Sequence, residues 1–411
     1  MKTCHRTQIA IILASCILAS MNGCGGGGAQ ESGTPVIRFW HFWSEPGQKA
    51  ILKELVAEFE KQKNVKVELT ELSWNDGKVK LQAAFNSGAP PDVIELGSDW
   101  IAQFSSSGVL LALPGDANAL GRFVSYSVAP AMWQGRTYAY PWTLDTRVIF
   151  TNQTLLANSG WREPIVTMDQ LVRAAELVKE SGSDGWGANG ADAHRLYKKI
   201  LPFMWTFGGD VFDANGKPIL NSPENIQALS VYAQLARAGF VETQRQLDAA
   251  FVQGKIALWN SGSWLSKKIH ANKALKAQPI LMPGLNGQPG ISFAGGEYLA
   301  VSASTHHSQH ARDLVLFLTK GATAVRFCSQ IPEAGFPAEK ASFSDSTLIA
   351  DPIKAIFAQQ LQHARMTPVH PRWLDLEAVI EDAVVRVLLG DETPQESLEK
   401  AQQAALQIVG G

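Results

Sequence analysis

Apolar residues in the first third of the chain recur with two different periods. Residues 36–42 are rich in β-branched and aromatic side chains and predict a buried strand. Residues 47–61 carry apolar side chains at helical spacing, and residues 65–69 alternate apolar and polar positions like a second strand. A strand, a helix and a strand in this order predict a βαβ unit with parallel strands.

The next segments extend this pattern into an open α/β sheet. Residues 78–86 predict a helix and residues 92–96 a third strand. Ligands of such sheets lie beyond the carboxyl ends of the strands. Three strand-end segments are therefore candidate site segments, and each contains a tryptophan with polar neighbours: His41–Glu45, Trp74–Asp76 and Ser98–Trp100.

Residues 138–152 hold two apolar runs that are separated by the polar segment Thr143–Arg147. Pro141 lacks an amide proton and fits poorly inside a central strand, and a charged segment is unusual in a strand core. We therefore predict that the chain passes here from one lobe to another and lines the cleft between them. The strand-like segment 290–301 predicts a second crossing, back to the first lobe.

Capping signals and apolar spacing predict a helix-rich second half. Helices are expected after the capping box Thr167–Gln170 and after Ser222–Pro223, the second of them ending at Gly239 as its C-cap glycine. Residues 249–259 and 278–282 predict strands. Further helices are predicted at 309–320, 377–389 and 394–409, the last capped by Thr393 with Glu396.

Length and composition indicate a soluble protein of two domains. The chain has 411 residues, more than one hydrophobic core usually supports, with 45% hydrophobic and 18% charged residues. Its net charge of −2 becomes −4 if Lys2 and Arg6 leave with the first 23 residues. This charge, and the lack of any basic run, argue against a nucleic-acid partner.

The N-terminus resembles a bacterial lipoprotein signal. Lys2 and Arg6 precede the apolar segment 9–21, which is too short for a permanent membrane span, and a small residue directly precedes Cys24. We predict that Cys24 becomes the lipidated first residue. Two alternatives stay open: processing at Cys16, and plain secretion with Cys24 as a free thiol.

Few residues suit a metal or a cofactor. Only Cys24 and Cys328 remain after processing, which excludes a disulfide framework and a cysteine-rich metal site, and Cys328 is expected to be a buried, inert thiol. His306, His307 and His310 lack acidic partners at a suitable spacing and are better explained as a solvated helix start. We predict no metal and no cofactor.

Several motifs resemble the extracellular solute-binding proteins of ABC importers, specifically the carbohydrate-binding family 1, a maltose-binding-protein-like group. Each motif is weak by itself, but the ordered set behind a lipoprotein signal is specific. The matching segments are Ser87–Ile94, Asp99–Trp100, Gly108–Leu110, Tyr140–Asn152, Phe207–Asp210, Asn221–Glu224, Phe251–Lys255, Gly262–Trp264 and Gly295–Gly296.

The resemblance implies an α/β, two-lobe periplasmic-binding-protein (type II) fold. Each lobe would be an open sheet flanked by helices, and hinge crossings would join the two lobes and let them close on a ligand. The expected organisation is a signal peptide at 1–23, a flexible tether at 24–34, lobe 1 at 35–143 and 293–341, and lobe 2 at 144–292 and 342–411.

The resemblance also implies the function of a binding protein and not of an enzyme. The protein would capture a mono- or oligosaccharide between its lobes and deliver it to ABC permease subunits. It would act outside the cytoplasm as a monomer, in contact with the membrane through its N-terminal lipid. The sugar, its length, the permease and the membrane that holds the anchor are not given by any motif.

Site residues follow partly from the resemblance and partly from loop position. A sugar offers hydroxyls to carboxylates, amides and guanidinium groups, and C–H faces to aromatic rings. By resemblance the cleft is lined by Asp99, Asp145, Trp264, Gly296 and Glu297. Loop position adds His41, Trp43, Trp74, Trp100, Trp205 and Trp373. For the five tryptophans of this set, core packing is an equal alternative. Core packing alone is expected for Trp40, Trp133, Trp186 and Trp259.

Three rival functions stay open. A glycoside-acting enzyme would need two carboxyls at a fixed spacing, which one sequence cannot show. A binding protein for a glycerol phosphodiester would need basic residues in the cleft, and one for a polyamine would need facing carboxylates. Trp100 stands where maltose-binding protein carries a basic residue after its ligand aspartate, so the particular sugar does not follow from the resemblance.

Overall fold

The structure is a computed structural model that describes residues 34–114, 120–343 and 345–410. The predicted signal peptide, both candidate lipidation residues Cys16 and Cys24, and the tether up to residue 33 lie outside the described residues. The strands are β1 (Val36–His41), β2 (Lys66–Glu71), β3 (Val93–Gly97), β4 (Met132–Trp133), β5 (Arg136–Thr137), β6 (Ala139–Thr146), β7 (Val148–Asn152), β8 (Asp184–Asn189), β9 (Phe240–Glu242), β10 (Ile256–Ser261), β11 (Ala277–Ile280), β12 (Ser292–Val301), β13 (Phe336–Pro337) and β14 (Ala364–Arg365).

Helices fill most of the remaining described chain, and several begin where a capping signal predicts them. Thr167 and Gln170 cap each other, as do Thr393 and Glu396. The helices are α1 (Pro46–Lys63), α2 (Gly77–Asn86), α3 (Ile101–Ser106), α4 (Ser125–Val128), α5 (Gln153–Asn158), α6 (Met168–Glu180), α7 (Tyr197–Thr206), α8 (Pro223–Arg237), α9 (Gln244–Val252), α10 (Ser266–Ala271), α11 (Ser308–Thr319), α12 (Gly321–Gln330), α13 (Ser346–Ile349), α14 (Pro352–Leu361), α15 (Trp373–Leu389) and α16 (Pro394–Gly410).

Two large sheets organise the described chain. The first sheet has the order β13-β6-β12-β3-β1-β2, with β14 paired to β12, and the second sheet has the order β11-β7-β10-β8-β9. Strand β1 pairs in parallel with β2 and with β3, which confirms the predicted βαβ unit. Two open sheets with flanking helices confirm the predicted two-lobe α/β architecture.

Arg147 marks the point where the chain passes from the first sheet to the second. Strand β6 lies in the first sheet between β12 and β13, whereas β7 lies in the second sheet between β10 and β11. The predicted crossing is therefore confirmed, but the expectation that Pro141 would not fit a central strand is wrong. Pro141 lies opposite Tyr298, beside a register shift between Glu297 and Tyr298. Such an irregularity is where a sheet tolerates a residue without an amide proton.

Strand β12 makes the predicted second crossing. The preceding strand β11 belongs to the second sheet, and β12 pairs with β6 and β3 in the first. A later passage brings Trp373, Leu376 and Ile380 of α15 into the core beside the second sheet. Helix α14 contacts strands of both sheets, so the lobe bounds given above stay predictions.

Two local predictions are wrong, and each has a physical reason. The strand predicted at 249–259 is helix α9 followed by strand β10, because Leu247, Ala250 and Phe251 are buried at helical spacing. Gly239 does not adopt the left-handed conformation of a C-cap glycine. It packs against β8, where an added Cβ would lie 1.6 Å from the Trp186 carbonyl oxygen, so close approach explains this glycine.

Burial supports part of the predicted core. Trp186, Trp259 and Cys328 are fully buried, and burial raises the pKa of the Cys328 thiol to about 12. Trp40 is partly buried and packs against the core, as predicted. Trp133 is also only partly buried, so its assignment to the core is wrong. Among residues 34–114, 120–343 and 345–410, no helix has the length and apolar character that a membrane span requires.

Candidate ligand-binding site

Asp145, Arg147 and Trp264 meet where the two sheets adjoin. Asp145 lies on β6, Arg147 follows that strand, and Trp264 lies on the 3-10 turn Ser263–Leu265 after β10. A guanidinium nitrogen of Arg147 donates to Asp145 Oδ2 at 2.6 Å, and the guanidinium carbon lies 4.5 Å from the centre of the Trp264 ring. The side chains of Asp145 and Arg147 are 16% and 9% exposed. A largely desolvated charge pair therefore borders an aromatic face.

Gly296 and Glu297 lie on β12, between the strand of Asp145 and the strand that precedes Asp99. Gly296 packs so closely on β6 that an added Cβ would lie 2.2 Å from the Thr143 carbonyl oxygen. The Thr143 hydroxyl donates to Glu297 Oε2 at 2.9 Å. Burial raises the pKa of Glu297 to about 7. The hydrogen bond from Thr143 lowers this pKa, and the negative charge of Asp145 raises it further.

A second carboxyl, Glu95, lies beside Glu297 on the neighbouring strand β3. Gly97 lies opposite Glu297, and Glu95 is two residues before Gly97 on the same face of the sheet. The Phe42 amide donates to Glu95 Oε2 at 2.9 Å. Burial, and then the charge of Glu297, raise the pKa of Glu95 well above its ordinary value. Hydrogen bonds from the Phe42 amide and the Trp43 side chain act against the rise of the Glu95 pKa. The first sheet thus places two carboxyls that favour the protonated form under the candidate site.

Asp99 connects the first sheet with a helix of the second lobe. It follows β3, and its Oδ2 accepts a hydrogen bond of 3.1 Å from the hydroxyl of Tyr197 at the start of α7. The Tyr197 ring lies 5.8 Å from the Phe293 ring, and the guanidinium carbon of Arg147 lies 5.4 Å from that ring. Asp99, Tyr197, Phe293 and Arg147 are therefore linked by a chain of contacts that leads to Trp264, in which Tyr197 and Phe293 are buried.

An aromatic cluster borders Asp99. Trp74 stacks on Phe42 with ring centres 4.1 Å apart, and it lies 5.6 Å from Trp100. The Lys78 ammonium lies 5.8 Å from the centre of the Trp100 ring. Trp74 is 44% exposed, whereas Trp100 is 8% exposed. The cluster therefore offers one accessible aromatic face, that of Trp74, on a buried support.

His41 and Trp43 lie inside the first lobe. His41 is 1% exposed, and burial is the main reason why its pKa falls to about 4. Trp43 packs edge-on against Trp142, with ring centres 6.1 Å apart, and against Phe327 at 5.1 Å. Core packing accounts for both side chains, and their part in ligand binding stays a prediction.

Trp205 and Trp373 are also buried. The Trp205 indole donates to Asp210 at 3.2 Å, and the Arg365 guanidinium carbon lies 5.2 Å from the Trp205 ring. Asp210 also accepts from the next backbone amide, as expected of a carboxylate that holds a turn. Trp373 lies 5.7 Å from the Tyr197 ring. Of these two tryptophans, the structure brings only Trp373 next to the other site residues.

A separate cavity of about 620 Å³ lies at the opposite end of β1 from His41. Arg38, Asp92, His306 and His307 are among the residues that line it. Asp92 accepts hydrogen bonds from the Arg38 amide at 2.8 Å and from the Thr305 hydroxyl at 2.7 Å, so it ties β1 to the end of β12. Across the described part of the chain, no group of three or more His, Cys, Asp or Glu side chains is arranged to hold a metal ion.

Three residues of the site escaped the sequence analysis: Tyr197, Lys198 and Asp248. The Lys198 ammonium lies 5.2 Å from the Tyr197 ring and 5.7 Å from the Phe293 ring. Asp248 accepts the indole N–H of Trp264 at 2.8 Å. Tyr197 and Lys198 begin a helix and Asp248 lies inside one, so the rule that ligands lie at strand ends does not reach them.

Sequence comparison places the chain among binding proteins. Residues 43–322 match the family described as bacterial extracellular solute-binding protein. The galactooligosaccharide-binding protein of Bacillus subtilis is 22% identical over 381 residues, which are 88% of this chain and 87% of that protein. The maltotriose-binding protein of Pyrococcus abyssi is 23% identical over 372 residues, 87% of this chain and 78% of that protein.

Solved structures share the fold. The GacH receptor of Streptomyces glaucescens, crystallised without ligand and with acarbose, has a TM-score of 0.80 at 22% identity and covers 92% of this chain and 99% of its own. A substrate-binding protein of Listeria monocytogenes in complex with cycloalternan has a TM-score of 0.80 at 21% identity, covering 92% and 100%. The family match spans well over half of the sequence, and the protein therefore belongs to the bacterial extracellular solute-binding protein family.

Proposed function

We propose that this protein is the extracytoplasmic substrate-binding component of an ABC importer. In this proposal it captures a mono- or oligosaccharide between the two sheets and delivers it to a membrane permease. The observation that carries the proposal is the desolvated Asp145–Arg147 pair beside the Trp264 ring. Sugar hydroxyls suit the charge pair, and the C–H face of a sugar ring suits the indole.

The relatives support a carbohydrate ligand. Two curated relatives are named for galactooligosaccharide and maltotriose, and two structural neighbours were solved with acarbose and cycloalternan. All four ligands are carbohydrates that present hydroxyls and C–H faces. The residues of this chain that suit the same chemistry lie on one surface, which argues for the same ligand class here.

Each proposed ligand contact has its own role. Asp99, Asp145 and Glu297 accept sugar hydroxyls, and Trp264 stacks on a sugar ring. Trp74, with 44% of its surface exposed, stacks on a further ring if the ligand is an oligosaccharide. Gly296 lets β12 approach β6 so closely that the carboxyls of Asp145 and Glu297 influence each other.

The membrane attachment belongs to the same proposal. Cys24 would carry the lipid that holds a monomer at the outer face of the membrane, within reach of its permease. The apolar segment 9–21 with Lys2 and Arg6 before it supports this role. Fractionation tests it: a Cys24→Ala variant is expected in the soluble fraction, whereas a Cys16→Ala variant stays with the membrane.

One non-sugar ligand has an observation in its favour. Lys198 packs its ammonium against the rings of Tyr197 and Phe293, and Arg147 lies next to it along the same surface. Two cations on this surface would also suit the phosphate of a glycerol phosphodiester. A polyamine is disfavoured by the same cations. Because the family consists of binding proteins, a glycoside-acting enzyme ranks below both binding functions.

The deciding experiment combines tryptophan fluorescence and thermal melting of the chain from Thr34 onward. The panel contains mono- and oligosaccharides, among them maltotriose and galactotriose, with glycerol 3-phosphate and spermidine as non-sugar controls. A saturable spectral shift and a raised melting temperature with one sugar class, without any product on chromatography, are expected. A response to glycerol 3-phosphate alone would replace the sugar by a phosphate ligand, and turnover of a sugar would overturn the binding function.

Two variants test the site itself. Trp264→Ala removes the stacking face and Asp145→Ala removes the hydroxyl acceptor, so each is expected to weaken the affinity for the sugar about tenfold or more. Trp205→Phe is the matched control, because its indole is 2% exposed and bonded to Asp210. Unchanged affinity in both site variants would place the ligand elsewhere while leaving the fold intact.

A further inference from the structure

Asp248 binds the indole N–H groups of two tryptophans at once. It lies on α9 and is 4% exposed. Its Oδ1 accepts Trp259 Nε1 at 2.8 Å, and its Oδ2 accepts Trp264 Nε1 at 2.8 Å. The Ser261 hydroxyl and the Gln244 side-chain amide also donate to Oδ1, each at 2.9 Å. Three donors therefore converge on Oδ1, and Trp264 is the one described donor to Oδ2.

The two oxygens of Asp248 serve different parts of the structure. Oδ1 binds residues of α9 and β10, which are elements of the second lobe. Oδ2 binds Trp264, which lies on the turn that borders the candidate site. The Asp248 carboxylate therefore holds Trp264, the proposed stacking residue, in a fixed position relative to α9 and β10.

Packing around Trp264 leaves its ring little freedom apart from this bond. The ring lies against Gly262, where an added Cβ would be 1.9 Å from Trp264 Cζ3. The guanidinium carbon of Arg147 lies 4.5 Å from the ring centre, and the buried Lys199 ammonium lies 5.9 Å from it. These packing contacts do not depend on the direction in which the indole N–H points. The hydrogen bond to Asp248 is directional, and bonds to a charged acceptor are the stronger ones.

We infer that Asp248 is a positioning residue for ligand capture, because its Oδ2 fixes the Trp264 indole in the orientation on which a sugar ring stacks. This inference rests on the proposed function, since Trp264 is a proposed contact. Stacking needs many atom pairs near their optimal separation, and a tilt or rotation of the ring removes contacts across the whole face. A loose Trp264 would therefore bind the same sugars, but more weakly.

Asp248→Asn is the sharpest variant, because it keeps the shape of the side chain and replaces one acceptor by a donor. The amide oxygen is expected on the side of Trp259, Ser261 and Gln244, where three donors converge. Its NH₂ group then faces the Trp264 N–H, donor against donor, and that bond is lost. Ser261→Ala is the matched control, since it removes one donor from Oδ1 and leaves the bond to Trp264 in place.

The first readout needs no sugar. The contribution of Trp264 to near-UV circular dichroism and to acrylamide quenching is isolated as the difference between each protein and its Trp264→Phe derivative. We expect Asp248→Asn to reduce the Trp264 dichroism band and to raise its quenching, while Ser261→Ala changes neither. An unchanged Trp264 signal in Asp248→Asn, with a native far-UV spectrum, would overturn the inference.

The second readout is affinity for maltotriose and galactotriose. Asp248→Asn is expected to weaken the dissociation constant about tenfold in the presence of Trp264 and less than about twofold in a Trp264→Phe background, which has no N–H to position. Equal losses in both backgrounds would mean that Asp248 acts through general stability and would overturn the inference. Trp264→Phe alone is expected to lose affinity as well, because a phenyl ring cannot donate to Oδ2 and its orientation is then not fixed by Asp248.

The two proposals fail in different ways. If the wild-type protein binds neither saccharide nor any other sugar of the panel, the proposed function fails, while the spectroscopic difference still decides whether Asp248 orients Trp264. If the wild-type protein binds sugar and Trp264→Ala loses affinity but Asp248→Asn keeps it, the proposed function stands and the positioning role of Asp248 is wrong.

Discussion

The two ends of the candidate site bury their carboxyl groups in opposite ways. At the Trp264 end, Asp248 accepts hydrogen bonds from four donors that lie on a helix, a strand and a turn. At the β12 end, the Phe42 amide donates to Glu95 and the Thr143 hydroxyl donates to Glu297, and burial raises the pKa of both carboxyls. Asp248 is a fixed structural element, whereas Glu95 and Glu297 respond to protonation.

The Trp264 end of the candidate site is therefore rigid, whereas the β12 end can change its protonation. A stacking surface works best when it does not move, and the Trp264 end is held by the hydrogen bonds to Asp248. The carboxyls of the β12 end change their protonation instead, and of the two Glu95 is fully buried whereas Glu297 is partly exposed. Under the proposed function, the second lobe would contribute the fixed aromatic face and the first lobe the Glu297 carboxyl.

The largest effect is expected at Asp145, which joins the two ends. Asp145→Ala leaves the Arg147 guanidinium, 9% exposed, without its carboxylate. Loss of one partner from a buried pair costs about 3–5 kcal/mol of the free energy of unfolding. Denaturant unfolding measures this loss. Arg147→Met should recover part of it in the double variant, and a loss below about 1 kcal/mol would contradict the view that the pair is desolvated.

The rigid end is tested at Gly262. Gly262→Ala places a Cβ 1.9 Å from Trp264 Cζ3, which forces the ring to move. We expect the sugar dissociation constant to rise about tenfold, since stacking geometry is lost while every polar side chain stays in place. Isothermal titration measures this change. Gly47→Ala is the control, because a Cβ added there has no atom within 4 Å. Equal dissociation constants for the two variants would contradict the view that the position of the Trp264 ring matters for binding.

The β12 end predicts a pH dependence of stability. Burial raises the pKa of Glu297 from its ordinary 4.5 to about 7, so between these values the folded protein holds a proton that the unfolded chain releases. The contribution of Glu297 to the free energy of unfolding therefore falls as pH rises from about 4.5 to about 7 and levels off above that range. The raised pKa values of Glu95 and Glu377 act in the same direction. His41, whose pKa is lowered to about 4, acts in the opposite direction between about pH 4 and 6.5, so the Glu297 contribution is read as the difference between wild type and variant.

Glu297→Gln sharpens this test. An amide does not titrate, so thermal melting of the variant should vary less with pH over the same range than that of the wild-type protein. Asp345→Asn serves as the control, because the hydrogen bonds from Thr347 lower the pKa of Asp345 instead of raising it. An unaltered pH slope in Glu297→Gln would assign the titration to other groups.

The smallest effect is expected at Trp205, which lies at neither end. Its indole is buried against Asp210 and Arg365. Trp205→Phe should leave the sugar dissociation constant within about twofold, while the lost hydrogen bond lowers the melting temperature slightly. A clear loss of affinity would extend the binding surface beyond the Trp264 turn and would support the predicted ligand contact at Trp205.

The sequence predicts what depends on local pattern and misses what depends on tertiary approach. The βαβ unit, both crossings and the capping boxes follow from periodicity and from local hydrogen-bond chemistry, and the structure confirms them. Gly239 was assigned to a cap, because nothing local shows that β8 passes within contact distance. Pro141 was excluded from a central strand, because the register shift on the partner strand cannot be read from β6 itself.

The same limit applies to the site. Trp264, Asp99 and Asp145 belong to ordered motifs, so the resemblance reached them, and the structure links them through one chain of contacts. Asp248 lies on the buried face of its helix with Leu247 and Phe251, and only the fold shows that two indoles reach its carboxylate. Glu95 lies in a short apolar strand, where its pairing beside Glu297 depends on the strand order of the first sheet.

The hydrogen bond from Tyr197 to Asp99 links two regions that would move against each other under the proposed function. Its donor begins a helix of the second lobe and its acceptor follows a strand of the first. If a ligand hydroxyl binds at Asp99, any factor that lobe closure contributes to the affinity for that hydroxyl is also the factor that the hydroxyl contributes to closure. A ligand that displaces the Tyr197 hydroxyl would work against closure, and one that binds beside it would favour closure. Under the proposed function, the choice of substrate at Asp99 would therefore also decide which complexes close.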